Sequence, residues 1–480
     1  MKRLATALFV LLAGIAGVLI YTGAARDRDY GRLIEQGDAA LAQDQTFLAI
    51  EAYSGAIALK SDSMLGYLKR GETYRRRGEL MEALRDLKTA AEIDPTALGP
   101  LERLGDVNYS LNRFARAAER YEAYIRIDDR SPRVLYKLAL ARYKDGKPLL
   151  ALQPLRQAVT LDDKFVEAQY LLGLTLLDRD QLVEARQSFE RAVEVAPAFV
   201  PAWDELVALA RARKEPRALL TQLERLAKLE PDRPERHVAL GLAHAETGRT
   251  DLAVSTLRRA AERFPDEPQV YTALGRVWLN VTPPDARGDR VSLNKAIEAL
   301  ERASTLARAS SEALSLYGES LVLSGNLPRA EQVLLQAITK PPVDPETFQR
   351  LANAAEPQGH FGVARDALLN YLAVAPENTD VTLYAVRLAE LSLQVNDPAT
   401  AAIWFERALR ASNVETPLLL SRLAEAQLRA GDEQAARLTV ERGLTLDPAH
   451  ARLRALARRL RLSAAPASDQ SRPADRPRGS

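Results

Sequence analysis

Residues 166–199 read VEAQYLLGLTLLDRDQLVEARQSFERAVEVAPAF. Counted from Val166 as position 1, Gly173 stands at position 8, Ala185 at 20, Phe189 at 24, Ala192 at 27 and Pro197 at 32. Small residues at 8 and 20 let two antiparallel helices approach backbone to backbone, and the large residue at 24 fills the space beside them. The proline ends the second helix, because it lacks an N–H and pushes the residue before it out of helical geometry.

The same spacing recurs every 34 residues from Tyr30 onward, and a fixed period of this length is decisive for architecture. Position 8 is Gly37, Gly71, Gly105, Ala139, Gly173, Gly241, Gly275, Gly318, Ala352, Ala389 and Ala424. Position 20 is alanine from Ala49 through Ala83, Ala117, Ala151 and Ala185 to Ala253, Ala296, Ala330, Ala364, Ala401 and Ala436. Position 24 is large (Tyr53, Leu87, Tyr121, Leu155, Phe189 and onward to Phe405 and Val440), and position 32 is often proline, as in Pro95, Pro197, Pro231, Pro265, Pro376 and Pro448.

These residues resemble the tetratricopeptide repeat, whose mark is small at 8 and 20, bulky at 24 and proline at 32. The resemblance covers twelve units over residues 30–450. It implies an all-α fold, an α-solenoid in which helix-turn-helix hairpins stack into a right-handed superhelix with a concave inner surface. No hairpin buries its faces alone, so stability comes from stacking. Three places depart from the pattern. Repeat six has Val207 at position 8, Leu219 at position 20 and Pro216 at the turn into its second helix. Repeat eight carries nine extra residues between Trp278 and Ala296, and three more precede repeat eleven near Thr379. Residues 451–462 read as a capping helix with Leu453, Leu456 and Leu460 on one face, and 463–480 as a disordered tail rich in Ala, Pro, Ser, Asp and Arg.

The start of the chain is different. Lys2 and Arg3 precede an uncharged run from Leu4 to Ala25. A membrane span needs roughly 20 mostly apolar residues, so residues 1–25 read as a transmembrane helix. A signal peptide cleaved near Gly23-Ala24-Ala25 is the alternative. The first reading implies a single-pass protein of a bacterial inner membrane with a periplasmic body.

Composition narrows the function. Sixty-six basic and 64 acidic residues leave a charge of +2, so no global field recruits nucleic acid. No cysteine is present, which excludes disulfides, thiolate chemistry and Cys-ligated zinc. His237, His244, His360 and His450 are scattered, without a third ligand at metal spacing. There is no P-loop, dinucleotide fingerprint or nucleophile elbow. Arg287-Gly288-Asp289 and Asn280-Val281-Thr282 are short motifs easily met by chance. The repeats consume the chain, so the expectation is a protein without enzyme activity, cofactor, metal or small-molecule substrate.

The resemblance implies that positions 2, 5, 9 and 12 of each first helix line the groove. In repeats three to five these positions and their flanks hold Tyr109, Arg133, Tyr136, Leu140, Tyr143, Lys144, Tyr170 and Leu174. Tyrosine combines wide contact area, small entropy loss and a polar tip, which suits peptide capture; packing against neighbouring helices is the alternative use of the same rings. Glu312, Glu319, Glu346, Glu390 and Glu425 give repeats nine to twelve a more acidic groove, open to a basic partner or simply solvated. Asn353, Arg387 and Arg422 sit where some relatives grip a C-terminal carboxylate, but Gln349 replaces the lysine this requires. The terminal helix is basic through Arg452, Arg454, Arg458, Arg459 and Arg461 without aromatic company, so solvation is its default. The expected function is a scaffold that binds partner proteins or peptides, anchored at a membrane and serving assembly, secretion or biogenesis at a bacterial cell envelope. The alternative is an exported peptide-binding chaperone.

Overall fold

The structure, a computed structural model, describes residues 2–282, 290–375, 380–412 and 415–461, with side chains from Leu11 onward apart from Gly17. Most of the insertion in repeat eight, the one near Thr379 and the 463–480 tail lie outside the described residues. Among those residues there are helices and turns and no strand. The chain divides into two compact units, residues 1–229 and 230–480.

Unit one holds six hairpins, each with a first helix A and a second helix B. They are 1A (Lys2–Ala42) with 1B (Thr46–Leu59), 2A (Met64–Arg76) with 2B (Leu80–Ile93), and 3A (Leu98–Ser110) with 3B (Phe114–Ile125). Then follow 4A (Pro132–Lys144) with 4B (Pro148–Leu161), 5A (Val166–Leu177) with 5B (Leu182–Val195), and 6A (Val200–Ala212) with 6B (Pro216–Leu229). Unit two continues with 7A (Pro234–Glu246) and 7B (Thr250–Arg263), 8A (Pro268–Asn280) and 8B (Arg290–Thr305), and 9A (Ser311–Ser324) and 9B (Leu327–Ala337). It ends with 10A (Pro345–Ala355) and 10B (Phe361–Val374), 11A (Val381–Gln394) and 11B (Pro398–Ser412), 12A (Pro417–Arg429) and 12B (Glu433–Leu446), and a closing helix Ala451–Arg459.

The close approach inside each hairpin is literal. A Cβ added at Gly173 would stand 2.4 Å from Phe189 Cε1, and one at Gly318 would stand 2.4 Å from Leu334 Cγ. The position-20 alanines Ala49, Ala185 and Ala330 are completely buried. Helices 2B and 5B end at Ile93 and Val195, two residues ahead of Pro95 and Pro197, as the steric effect of proline on its predecessor requires.

A second periodic feature sits in the A-to-B turns. The fifteenth position of almost every unit takes a positive φ: Asp44, Gly78, Asn112, Gly146, Asp180, Lys214, Gly248, Gly325, Gly359, Asn396 and Gly431. This left-handed residue reverses the chain, and Gly, Asn and Asp adopt it at least cost. Lys214, in the degenerate repeat six, is the exception in type.

Within each unit successive A helices pack on one another, as 2A on 3A, 4A on 5A, 7A on 8A, 8A on 9A and 9A on 10A. Successive B helices do not pack to that extent. Each unit therefore curves with its A helices on the inner wall. The closing helix buries Leu453 and Leu460 against Ala424, Ala436 and Val440, with Leu456 partly buried. It ends at Arg459, a little short of residue 462.

The N-terminal expectation needs correction. Among the described residues no helix is long and apolar enough to cross a membrane. Beyond Ala25 the same helix runs unbroken through Arg26, Asp27, Arg28 and Asp29 to become helix 1A, packing Ile34 beside Ala49 and Tyr53. The transmembrane helix, the membrane as a partner and the single-pass inner-membrane location are therefore not retained.

Candidate functional site

The inner wall of unit one brings the groove tyrosines to successive A helices. Tyr109 (3A), Tyr136 and Tyr143 (4A) and Tyr170 (5A) are all half-buried. Three of the four rings lean on an aromatic neighbour: Tyr109 on Phe114 at 5.2 Å, Tyr136 on Phe165 at 5.1 Å, and Tyr170 on Phe189 at 5.7 Å and Phe199 at 5.3 Å. Tyr136, Leu140, Tyr143, Tyr170 and Leu174 pack against the core formed by repeats four to six. Packing against neighbouring helices is thus one use of these rings, and part of each ring's surface remains open to solvent.

All four phenols are held above their ordinary pKa, with burial as the largest cause. Carboxylates add to it: Glu167 at Tyr136, Asp178 and Glu205 at Tyr143, and Glu205 and Asp204 at Tyr170. Tyr109 adds to the upward shift at Tyr136, and Tyr170 to that at Tyr143. Of the two flanking cations, Arg133 is already engaged, its Nη2 donating to Glu102 Oε2 at 2.9 Å. Lys144 is exposed.

The spacing pattern alone did not disclose a set of inter-repeat clamps. Tyr53 donates to Asp38 at 2.6 Å while Lys69 of the next hairpin donates to the same carboxylate at 2.7 Å. Two repeats later Tyr121 donates to Asp106 at 2.8 Å and Lys137 closes on it at 2.7 Å, while also reaching Glu102. Aspartate at position 9, tyrosine at 24 and lysine at 6 of the following unit recur in the same register in repeats one and three, and that recurrence was the available signal. Burial opposes ionisation of Asp38, but the hydrogen bonds from Lys69 and Tyr53 and the Lys69 charge hold it below its ordinary value. Burial, then the facing aspartate, raises the Tyr53 and Tyr121 hydroxyls far above theirs.

The groove of unit two is rearranged relative to its sequence reading. Its glutamates are paired, so it is not an open acidic surface. Arg276 meets Glu312. Arg350 binds Glu319 at 2.9 Å, Glu346 at 2.8 Å and Ser315 Oγ at 3.0 Å. Arg422 meets Glu390, and Arg429 binds Glu425 at 2.8 Å. Each glutamate has an arginine one turn or one repeat away, a relationship invisible when the A-helix positions are read singly. Arg387, which had been considered for a carboxylate grip, is occupied by Glu356 at 2.7 Å and Asn353 at 3.0 Å. A recess of about 310 Å³ between Arg276, Glu312, Glu319 and Arg350 is thus lined by charges that already have partners. A second recess, about 520 Å³, lies in repeats five and six beside Val193, Trp203, Leu206 and Gln222.

The histidines are dispersed. His237 contacts the Pro231 carbonyl at 2.9 Å, His360 meets Glu331 at 2.7 Å, and His244 is buried. Among the described residues no group of three His, Asp or Glu side chains is arranged to hold a metal ion.

Comparison with known proteins adds the following. A family profile described as Tetratricopeptide repeat matches residues 34–97, 102–164, 136–199, 292–345 and 350–416, more than half of the chain, and a second profile of the same description matches 234–277. The small glutamine-rich tetratricopeptide repeat-containing protein 2 of Mycosarcoma maydis is 31% identical over 97 residues, 20% of this chain and 28% of that protein. The chain thus spans less than a third of that relative's length. Among solved structures, MamA is 21% identical, covering 36% of this chain and 96% of its own with a TM-score of 0.34. YrrB, described as a TPR protein with an unusual peptide-binding site, is 21% identical, covering 47% of this chain and 98% of its own with a TM-score of 0.30.

Proposed function

This chain belongs to the tetratricopeptide repeat family, and we propose that it is a protein-interaction scaffold whose unit-one groove holds a segment of a partner protein. The observation that carries this reading is the row Tyr109, Tyr136, Tyr143 and Tyr170. Four aromatic residues on three successive A helices are braced by core contacts and remain partly open. Rings fixed by packing lose little entropy when a partner docks, and their polar tips can still make hydrogen bonds. Leu140 and Leu174 lie between them as apolar contacts, with Arg133 and Lys144 at the margin. The reading assigns the chain no catalytic step. The envelope role and the exported-chaperone alternative both depended on the N-terminal segment as an anchor or signal, and neither forms part of this reading.

The test is in-cell crosslinking followed by mass spectrometry, comparing the full chain with a Tyr136→Ala, Tyr170→Ala double variant. Far-UV circular dichroism checks that helicity is kept. Loss of specific crosslinked partners from the double variant is expected. An identical partner set in both forms would overturn the groove assignment.

A further inference from the structure

We infer that hairpin six opens as a unit while hairpins one to five stay folded, and that each opening withdraws Phe199 from the ring of Tyr170. Four separate features of this one hairpin lead there. The first is its interior. At positions 8 and 20, where the other repeats carry glycine or alanine, repeat six has Val207 and Leu219. Their bulk holds 6A and 6B apart, and of the twelve hairpins these two helices lie against each other least closely. The junction of 5B with 6A is likewise the loosest of its kind inside unit one. The second feature is incomplete packing on hairpin five. The recess of about 520 Å³ opens among Val193 of 5B, Trp203 and Leu206 of 6A, and Ala218 and Gln222 of 6B. Atoms facing such a gap lose the dispersion contacts a filled junction would give them.

The third feature is Gln222, at position 23. It is only 7% exposed, and its Oε1 has no hydrogen-bond partner among the described residues. Polar residues at the same position of repeats two, five and twelve are satisfied within the chain. Asp86 receives Arg70 at 2.6 Å, Ser188 donates to the Glu184 carbonyl at 3.0 Å, and Thr439 donates to Gln427 at 2.8 Å. An acceptor that has left water without gaining a donor weakens the closed hairpin and regains its hydrogen bonds on opening. The fourth feature is the turn, where Lys214 holds a φ of 55° that opening relaxes. Against these stand the buried Leu206, Leu223 and Leu226 and an ion pair from Arg186 to Glu215 at 2.6 Å. They keep the hairpin closed most of the time, at the low end of the local stabilities in unit one. The weaknesses lie on 6A, on the turn and on 6B, so they are released together. Phe199 directly precedes 6A, and its ring meets Tyr170 edge-on at 5.3 Å. Undocking 6A carries Phe199 away and leaves Phe189, at 5.7 Å, as the aromatic support of Tyr170. Tyr136 leans on Phe165, ahead of 5A, and keeps its support. This holds whether or not the groove takes a partner.

The experiment is amide hydrogen exchange of the full chain at neutral pH, read by mass spectrometry and corrected for intrinsic rates. Amides of residues 200–229 are expected to exchange about tenfold or more faster than those of 166–195. Lys214→Gly combined with Gln222→Leu should slow exchange in 200–229 by about tenfold and leave 98–125 unchanged. Lys214→Gly alone, which leaves the packing untouched, should slow it by about two- to fivefold. The link to the tyrosine row is read by fluorine NMR with 3-fluorotyrosine at position 170 or 136. The signal at 170 should be broadened by exchange and sharpen in the combined variant, while the signal at 136 stays the same in both. Equal protection of 166–195 and 200–229 would overturn the inference, as would a Lys214→Gly variant that slows exchange evenly through unit one or not at all. A signal at 170 that ignores the combined variant, while exchange in 200–229 responds, would overturn the link to Phe199 and leave the local opening standing.

Discussion

Tyr121 and Asp106 join the two helices of repeat three: the phenol donates to the carboxylate at 2.8 Å, from a ring only 2% exposed. The same aspartate receives Lys137 from the next hairpin, so one carboxylate ties helix 3B to 3A and 3A to 4A. Deleting the hydroxyl with Tyr121→Phe leaves the ring packing intact and removes one charge-assisted bond. A loss of about 1–2 kcal/mol is expected in the urea unfolding of unit one. Lys137→Met should cost more, because Asp106 and the buried Glu102 both lose a cation. A Tyr121→Phe variant with unchanged midpoint and slope would show that the clamp contributes nothing net.

The raised tyrosines predict alkaline instability. Tyr53, Tyr109, Tyr121, Tyr136, Tyr143, Tyr170, Tyr317 and Tyr384 all stand above the ordinary phenol value in the folded chain. Above about pH 10 the unfolded chain releases these protons while the native chain keeps them, so the unfolded state binds fewer and stability falls as pH rises. Below that pH the contribution is fully present. Phenolate absorbance should therefore rise in two stages, exposed tyrosines first and the remainder together with loss of helicity. A single smooth titration of all fifteen tyrosines near pH 10 with the helices intact would contradict this.

Lys214 holds a φ of 55° at a turn position where the other repeats use Gly, Asn or Asp. A left-handed backbone crowds any ordinary Cβ. Lys214→Gly should stabilise unit one by about 0.5–1 kcal/mol, the relief of strain exceeding the entropy glycine adds to the unfolded chain. Thermal melting at neutral pH reads this directly as a small upward shift.

Gly173 faces Phe189 so closely that a methyl group would lie well inside contact distance. Gly173→Ala should destabilise by about 1–3 kcal/mol through overpacking. Adding Phe189→Leu should recover part of the loss, because Ala139 with Leu155 and Ala352 with Leu368 already use that combination. If the double variant is no better than the single one, the strain lies elsewhere in the hairpin.

Much of the architecture was legible because its determinants are local. Gly173, Ala185 and Pro197 act through contacts within one hairpin, and their spacing translates directly into two helices and an end. The A-to-B turns were equally local but went unread, since Asp44, Asn112 and Asp180 look like ordinary surface residues until their φ angles are known. The N-terminal segment was misread for a different reason. Its composition was judged without the helix that follows, and in the structure Lys2–Ala42 is one helix whose second half belongs to the first hairpin. The tyrosines were located on the groove helices, but composition could not show that each also braces the core.

By itself, then, the sequence determined an all-helical chain of 34-residue hairpins, because close helix approach and helix termination depend on residues a few turns apart. Only tertiary structure decided which charges are spent. Glu319 and Arg350 lie 31 residues apart, as do Asp106 and Lys137, and they meet because stacking brings one repeat against the next. Whether a given carboxylate finds such a partner depends on rotamer and burial at that junction, so Glu319 is neutralised and Glu205 keeps a charge with no cation bound to it.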